Sequence, residues 1–194
     1  MAETENIAAI AGKIKNDIFR VFFWDMHSQE NANFSCVCEE HKNENGKRKT
    51  THPGDVIFHY FDPYLNKRIY LHTDLKAYSK SSVTASKIRD ALKSLAMTLE
   101  CAEISTGWRD VFLAHDGEPY EVRGLLLVAN HDNKAPKKFG ELFSKISLQN
   151  IPVAKGQALH VLSPSDVNML YSIAVDIKLR IQDGSMGEVY RFVY

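Results

Sequence analysis

The sequence predicts a mixed α/β (α+β) domain: an α-β-β-β-α-β core with a mixed central sheet flanked by helices, followed by a C-terminal α/β extension. Three observations lead there. Apolar residues recur at three- and four-residue spacing in separate stretches, the period of amphipathic helices. Several short runs rich in β-branched and aromatic residues have the length of strands. Asn-Gly and Asp-Pro dipeptides punctuate those runs where hairpins would turn.

Over residues 3–23, Ile7, Ile10, Ile14, Ile18 and Phe22 form one apolar helical stripe. "NFSCVCEEH", 33–41, reads as a short strand, and the polar "KNENGKRKTTHPG", 42–54, as the turn leading out of it. "DVIFHYF", 55–61, is the next strand, "DPYLNK", 62–67, a proline-bearing turn, and "RIYLHTDLK", 68–76, a third strand. Over 83–103, Ile88, Leu92, Leu95, Leu99 and Ala102 share one helical face, after serines able to cap its start. "EVRGLLLVANH", 121–131, is apolar almost throughout, as a strand buried on both faces would be. A helical stretch near 139–146, a strand at 158–162, a helix over about 165–181 capped by Ser163 or Ser165, and the strand-like "EVYRFVY" complete the chain. No repeat or linker divides it, so one domain spans 1–194, with its core at about 1–131 and the extension at about 132–194.

Composition narrows the classes. The 194 residues are 44% hydrophobic and 25% charged, enough for a real core, and the formal net charge is zero. A nucleic-acid partner would therefore need a local basic patch rather than bulk charge. No apolar run approaches the roughly 18 residues of a membrane span. Three cysteines without a signal-like N-terminus predict a reduced, cytoplasmic setting. P-loop, dinucleotide-binding and Gly-x-Ser-x-Gly motifs are absent from the sequence.

The chemistry concentrates at the end of the third strand. Side chains alternate faces, so Tyr70, His72, Asp74 and Lys76 point one way and Ile69, Leu71, Thr73 and Leu75 the other. An antiparallel hairpin through "DPYLNK" brings Asp55, at the start of one strand, beside Asp74 and Lys76 at the end of the next. Two adjacent carboxylates repel unless a cation sits between them, and oxygen ligands suit Mg²⁺. Lys76 would then orient a water or offset charge developing on a phosphate.

Asp55 followed by Asp74-Leu75-Lys76, within an α-β-β-β-α-β order, resembles the PD-(D/E)xK nuclease superfamily with its restriction-endonuclease-like core. The resemblance covers about two thirds of the chain. It implies that Asp55 and Asp74, with the backbone carbonyl of Leu75, are ligands of Mg²⁺ or Mn²⁺, and that Lys76 is the catalytic lysine. Here the family's Pro-Asp is loosened to Pro53-Gly54-Asp55, and Asp74 stands where Glu is commoner. A further carboxylate from the first helix or the segment after it would be Asp17, Asp25 or Glu30. The family reading also implies DNA, or less readily RNA, as substrate, and a setting such as prokaryotic restriction or anti-phage defence. A neutral nuclease domain further suggests a homodimer, or a complex with an ATPase or helicase-type subunit.

Other readings compete. An Asp-x-Lys at a strand end also occurs as a solvated ion pair worth about 0–1 kcal/mol. The chain could be a nuclease-like subunit that binds nucleic acid without cutting, or an interaction domain in which the motif is incidental. Lys80 and Lys87, near a serine-rich helix start, could seat phosphates or simply form a solvated helix face. His52 is a weak candidate for a general base, with His59 and His72 as neighbours. "CVCEEH" places Cys36, Cys38 and His41 together, but Cys-x-Cys is shorter than usual zinc spacing and lacks a fourth ligand, so buried small hydrophobes is the simpler expectation. Trp24 and Trp108 could stack on bases or pack in the core.

Overall fold

The computed structural model describes residues 2–29, 32–43, 45–78, 83–113, 117–130, 139–153 and 156–192, the side chains of 2–8, 77, 78 and 130 excepted. Helix α1 (Ala2–Asp17) runs into a 3₁₀ turn (Phe19–Phe22) and a two-residue strand β1 (Asp25–Met26). A hairpin follows, β2 (Ala32–Ser35) and β3 (Thr51–Gly54), then β4 (Val56–Asp62), β5 (Lys67–Tyr78), α2 (Ala85–Ala102) and α3 (Thr106–Phe112). The chain continues through β6 (Tyr120–Asn130), α4 (Phe139–Phe143), β7 (Leu159–Leu162) and α5 (Pro164–Gln182).

The central sheet has the order β1-β4-β5-β6-β7, antiparallel from β1 to β5 and parallel from β5 to β7. This is the mixed, helix-flanked sheet expected. Strand β5 is its axis, paired along its length to β6 by a parallel ladder from Arg68↔Tyr120 to Tyr78↔Asn130. A parallel neighbour needs a crossover connection, which α2 and α3 provide.

Both faces of β5 are packed. Ile69, Leu71 and Leu75 meet Ala11 and Ile14 of α1, with Phe19, Phe58, Leu125 and Leu127. On the reverse, Tyr70 packs with Leu99 and Cys101 of α2 and with Trp108 and Phe112 of α3. Burying a side chain such as Phe58, fully enclosed here, stabilises by about 1.5–3 kcal/mol.

Several elements differ from expectation for local reasons. The first helix ends at Asp17, and the tighter turn after it turns Phe19 and Val21 inward. Phe19 lies 4.8 Å from both Trp24 and Phe58, and Phe23, at φ 59°, terminates the turn. The strand expected at 33–41 is only β2, and it joins β3 in a separate two-stranded sheet rather than the central one. "THPG", assigned to a turn by its polarity, is β3, with His52 and Gly54 inward and Thr51 and Pro53 outward. Helix α3 went unforeseen, although Ser105 caps it by accepting from Trp108 N, and Trp108 and Phe112 are spaced as one buried face. Trp108 is wholly enclosed and so unavailable to stack on a base, and Trp24 lies flat on Tyr60 at 5.0 Å. Residues 188–192 form no strand; Phe192 packs on Phe22 and Tyr190 donates from its hydroxyl to Val21 O at 2.9 Å.

Helix α5 starts with a reciprocal capping box between Ser163 and Asp166. No helix among the described residues is long and apolar enough to cross a membrane.

Gly54 shows how tightly β3 is seated. A Cβ there would run into the Phe112 ring and stand 2.7 Å from Ala32 O, a backbone atom that cannot swing away. Gly54→Ala is expected to destabilise the domain by about 1–3 kcal/mol, as overpacking does. Urea unfolding checks this; an unchanged midpoint would show that β3 is free to shift.

Candidate active site

Two strand ends and one helix build the site. The β4–β5 ladder begins at Val56↔Thr73, so one further step in that register sets Asp55 opposite Asp74. Asp55 occupies the single-residue junction between β3 and β4, half-buried. Asp74 and Lys76 lie two apart on the α2 side of β5, with Lys76 Nζ 2.8 Å from Asp74 Oδ1. That oxygen is buried and receives no hydrogen bond of good geometry, so the contact is an ion pair rather than a directed bond. Leu75 between them is 1% exposed and locks the strand into the opposite core.

Asp55 and Asp74 both line a cavity of about 20 Å³, closed by Pro53 from β3 and by Ser94 and Thr98 from α2. Such a volume suits a single water or ion. Burial raises the Asp55 pKa above the ordinary carboxylate value, the Asp74 charge adds to the rise, and Lys76 opposes it. The donor set fits a hard divalent cation: two carboxylates that repel, facing a space of one-ion size.

Ser94 also borders a larger groove of about 550 Å³ lined by Lys42, Asn43, Lys49, Asp90 and Lys93. The carboxylate cavity and a lysine-bearing groove thus adjoin across one turn of α2. Lys87 sits exposed in the first turn of α2, which Thr84 caps by accepting from Lys87 N at 3.3 Å.

The remaining candidates fall elsewhere. The ring nitrogens of His52 are directed at Thr98 Oγ1, 3.2 Å away, and at His41 Nδ1, 3.3 Å away. Burial, with nearby Lys49, lowers its pKa to about 3, so it is neutral. His72 is likewise held neutral by burial, its pKa lowered to about 4; Nε2 donates to Pro53 O and Nδ1 accepts from Trp108 Nε1. His59 Nδ1 lies 3.4 Å from Arg68 Nη1. Asp25 pairs with Lys15 at 3.1 Å and lies across from His59, further along β4 than Asp55. Glu30 and Lys80 lie outside the described residues.

The mixed sheet order, with two carboxylates and a lysine at its strand ends, is consistent with a PD-(D/E)XK nuclease domain. The sequence profile of the GAPS4 protein PD-(D/E)XK nuclease domain matches residues 1–166, and the chain belongs to that family. No curated protein and no solved structure matches it.

A carboxylate whose pKa rises on folding stabilises the fold in its protonated form. That contribution is complete below the ordinary value near pH 4 and is lost as pH climbs through the raised value. Metal-free Asp55→Asn is therefore expected to melt above wild type at about pH 8, with the gap closing toward about pH 4. Thermal melts in EDTA read this directly, and equal melting at the upper pH would show that the pair carries no net repulsion.

Proposed function

We propose that this chain is a metal-dependent nuclease that hydrolyses phosphodiester bonds of DNA, with RNA the less favoured substrate. The observation that carries it is the pairing of Asp55 and Asp74 around a one-ion cavity at paired strand ends, with Lys76 held against Asp74. Membership of a nuclease-domain family supports the same reading.

Asp55, Asp74 and the Leu75 carbonyl would hold Mg²⁺ or Mn²⁺. When bound, such an ion polarises a phosphodiester oxygen and lowers the pKa of a coordinated water. Lys76 pairs with Asp74, and from there its ammonium would offset charge developing on the phosphate with little reorganisation. Lys42, Lys49 and Lys93 offer a track for a phosphate backbone beside the cavity, where bulk charge gives none. A neutral domain of this kind would draw further DNA affinity from a second copy or an ATPase-type subunit, in an intracellular role such as anti-phage defence.

The test is cleavage of plasmid, single-stranded DNA and RNA with Mg²⁺, Mn²⁺ or EDTA. Asp74→Ala and Lys76→Ala, shown folded by circular dichroism, are each expected to lower cleavage by about 10²–10³ or more. Cleavage that persists in EDTA or survives both substitutions would sink the reading. Binding without cleavage under every metal would instead make the chain a non-catalytic subunit. In salt titrations of binding, Lys49→Ala or Lys93→Ala should each reduce the slope by about one contact.

A further inference from the structure

A second cluster lies behind the carboxylates, built from the β2–β3 connection, β3 and α2. Cys36 follows β2, His41 comes from the connecting loop, His52 is on β3, and Cys101 is on the last turn of α2. All four are buried, and their ligating atoms lie within 4.8 Å of one another. Cys36 Sγ is 3.7 Å from Cys101 Sγ. His41 Nδ1 is 3.5 Å from Cys36 Sγ, 3.4 Å from Cys101 Sγ and 3.3 Å from His52 Nε2.

Those four separations match four of the six edges of a coordination tetrahedron, and the two from His52 to the sulfurs are within 4.8 Å. Zinc bonds of about 2.3 Å to sulfur and about 2.0–2.1 Å to nitrogen, at tetrahedral angles, set sulfur–sulfur near ~3.8 Å, sulfur–nitrogen near ~3.6 Å and nitrogen–nitrogen near ~3.4 Å. All four observed distances agree to within about 0.2 Å. A disulfide would need its sulfurs near ~2.05 Å instead.

The outer hydrogen bonds leave His41 Nδ1 and His52 Nε2 facing each other inside the cluster. Glu100 Oε2 lies 2.9 Å from His41 Nε2; a carboxylate accepts, so the His41 proton is on Nε2. Thr98 Oγ1 donates to Ser94 O at 2.9 Å, so it accepts from His52 Nδ1, and that ring's proton is on Nδ1. A cation between His41 Nδ1 and His52 Nε2, which lie 3.3 Å apart with two sulfurs beside them, would take a lone pair from each ring. One lone pair on His41 Nδ1 cannot serve three neighbours. Carboxylate and hydroxyl partners on the outer nitrogens are what metal-bound histidines usually have.

We propose that Cys36, His41, His52 and Cys101 form a closed tetrahedral zinc site with a structural role. With four protein ligands and no exposed face, it holds the zinc without a position for substrate. It ties the end of β2, the loop and β3 to α2. Because Asp55 follows His52 by way of Pro53, whose carbonyl is itself fixed by His72, the site also positions the nuclease carboxylate.

The measurement is metal content of the untagged full chain, expressed with zinc and purified without chelator. About one zinc per chain is expected, released by an organomercurial in step with loss of thiols and read with a zinc-sensitive dye. Cobalt in its place should show the intense visible bands of a tetrahedral thiolate site. Cys101→Ser and His52→Ala should each cut bound zinc at least about tenfold, while Cys38→Ser keeps it; Glu100→Gln should weaken affinity about 10–100-fold. Wild type that stays below about 0.1 zinc per chain, or a Cys101→Ser variant that retains its zinc, overturns the proposal. If the ligand variants fail to fold, wild-type stoichiometry and the cobalt spectrum decide it alone. Neither readout depends on cleavage, so this inference stands or falls apart from the nuclease reading.

Discussion

The antiparallel register of β4 on β5 is the constraint on which the rest depends. Side chains alternate along a strand, so a slip of one residue would send Asp74 and Lys76 into the apolar layer and bring Leu75 out. The register is held from both sides. Ile69, Leu71 and Leu75 are committed to the α1 layer, and Tyr70 and His72 to the layer under α2 and α3. Asp62, accepting from Tyr64 N and Leu65 N, fixes the turn that sets it. Two carboxylates that repel are kept in place by apolar burial elsewhere, which is the usual physical condition of a metal site.

Much of this was legible in the sequence because it depends on local periodicity. The turn over 62–67 and two alternating runs suffice to oppose Asp55 and Asp74, and the apolar run of β6 announces a strand buried on both sides. What escaped had non-local or mixed signals. Polarity concealed β3, since His52 is buried through partners 46 and 11 residues away in sequence. The Cys36-x-Cys38 spacing drew attention to a cysteine outside the cluster, while the fourth ligand, Cys101, is 65 residues from Cys36. Only the folded chain joins them. Helix α3 was too short for periodicity to register, and the aromatic C-terminal segment satisfies its apolar residues against Phe22 and Phe23 rather than in a sheet.

Helix α2 links the two centres. Ser94 and Thr98 close the carboxylate cavity, while Thr98, Glu100 and Cys101 face the cysteine–histidine cluster. Its apolar stripe of Ile88, Leu92, Leu95 and Leu99 carries none of this chemistry, yet it sets the height and rotation at which those side chains meet the strands.

The hairpin that opposes Asp55 and Asp74 also divides the site in time. Its ends are joined across residues 63–66, whereas the β5–β6 ladder must wait for a crossover running from Tyr78 to Tyr120. Closing a short loop costs less chain entropy than closing a long one, and local contacts form sooner than distant ones. On chain entropy alone, the two carboxylates are expected to meet in a solvated hairpin, where water screens their repulsion, before α2 and β6 enclose them. The electrostatic cost of the site would then fall on the last stage of assembly, when most of the apolar surface is buried and can offset it.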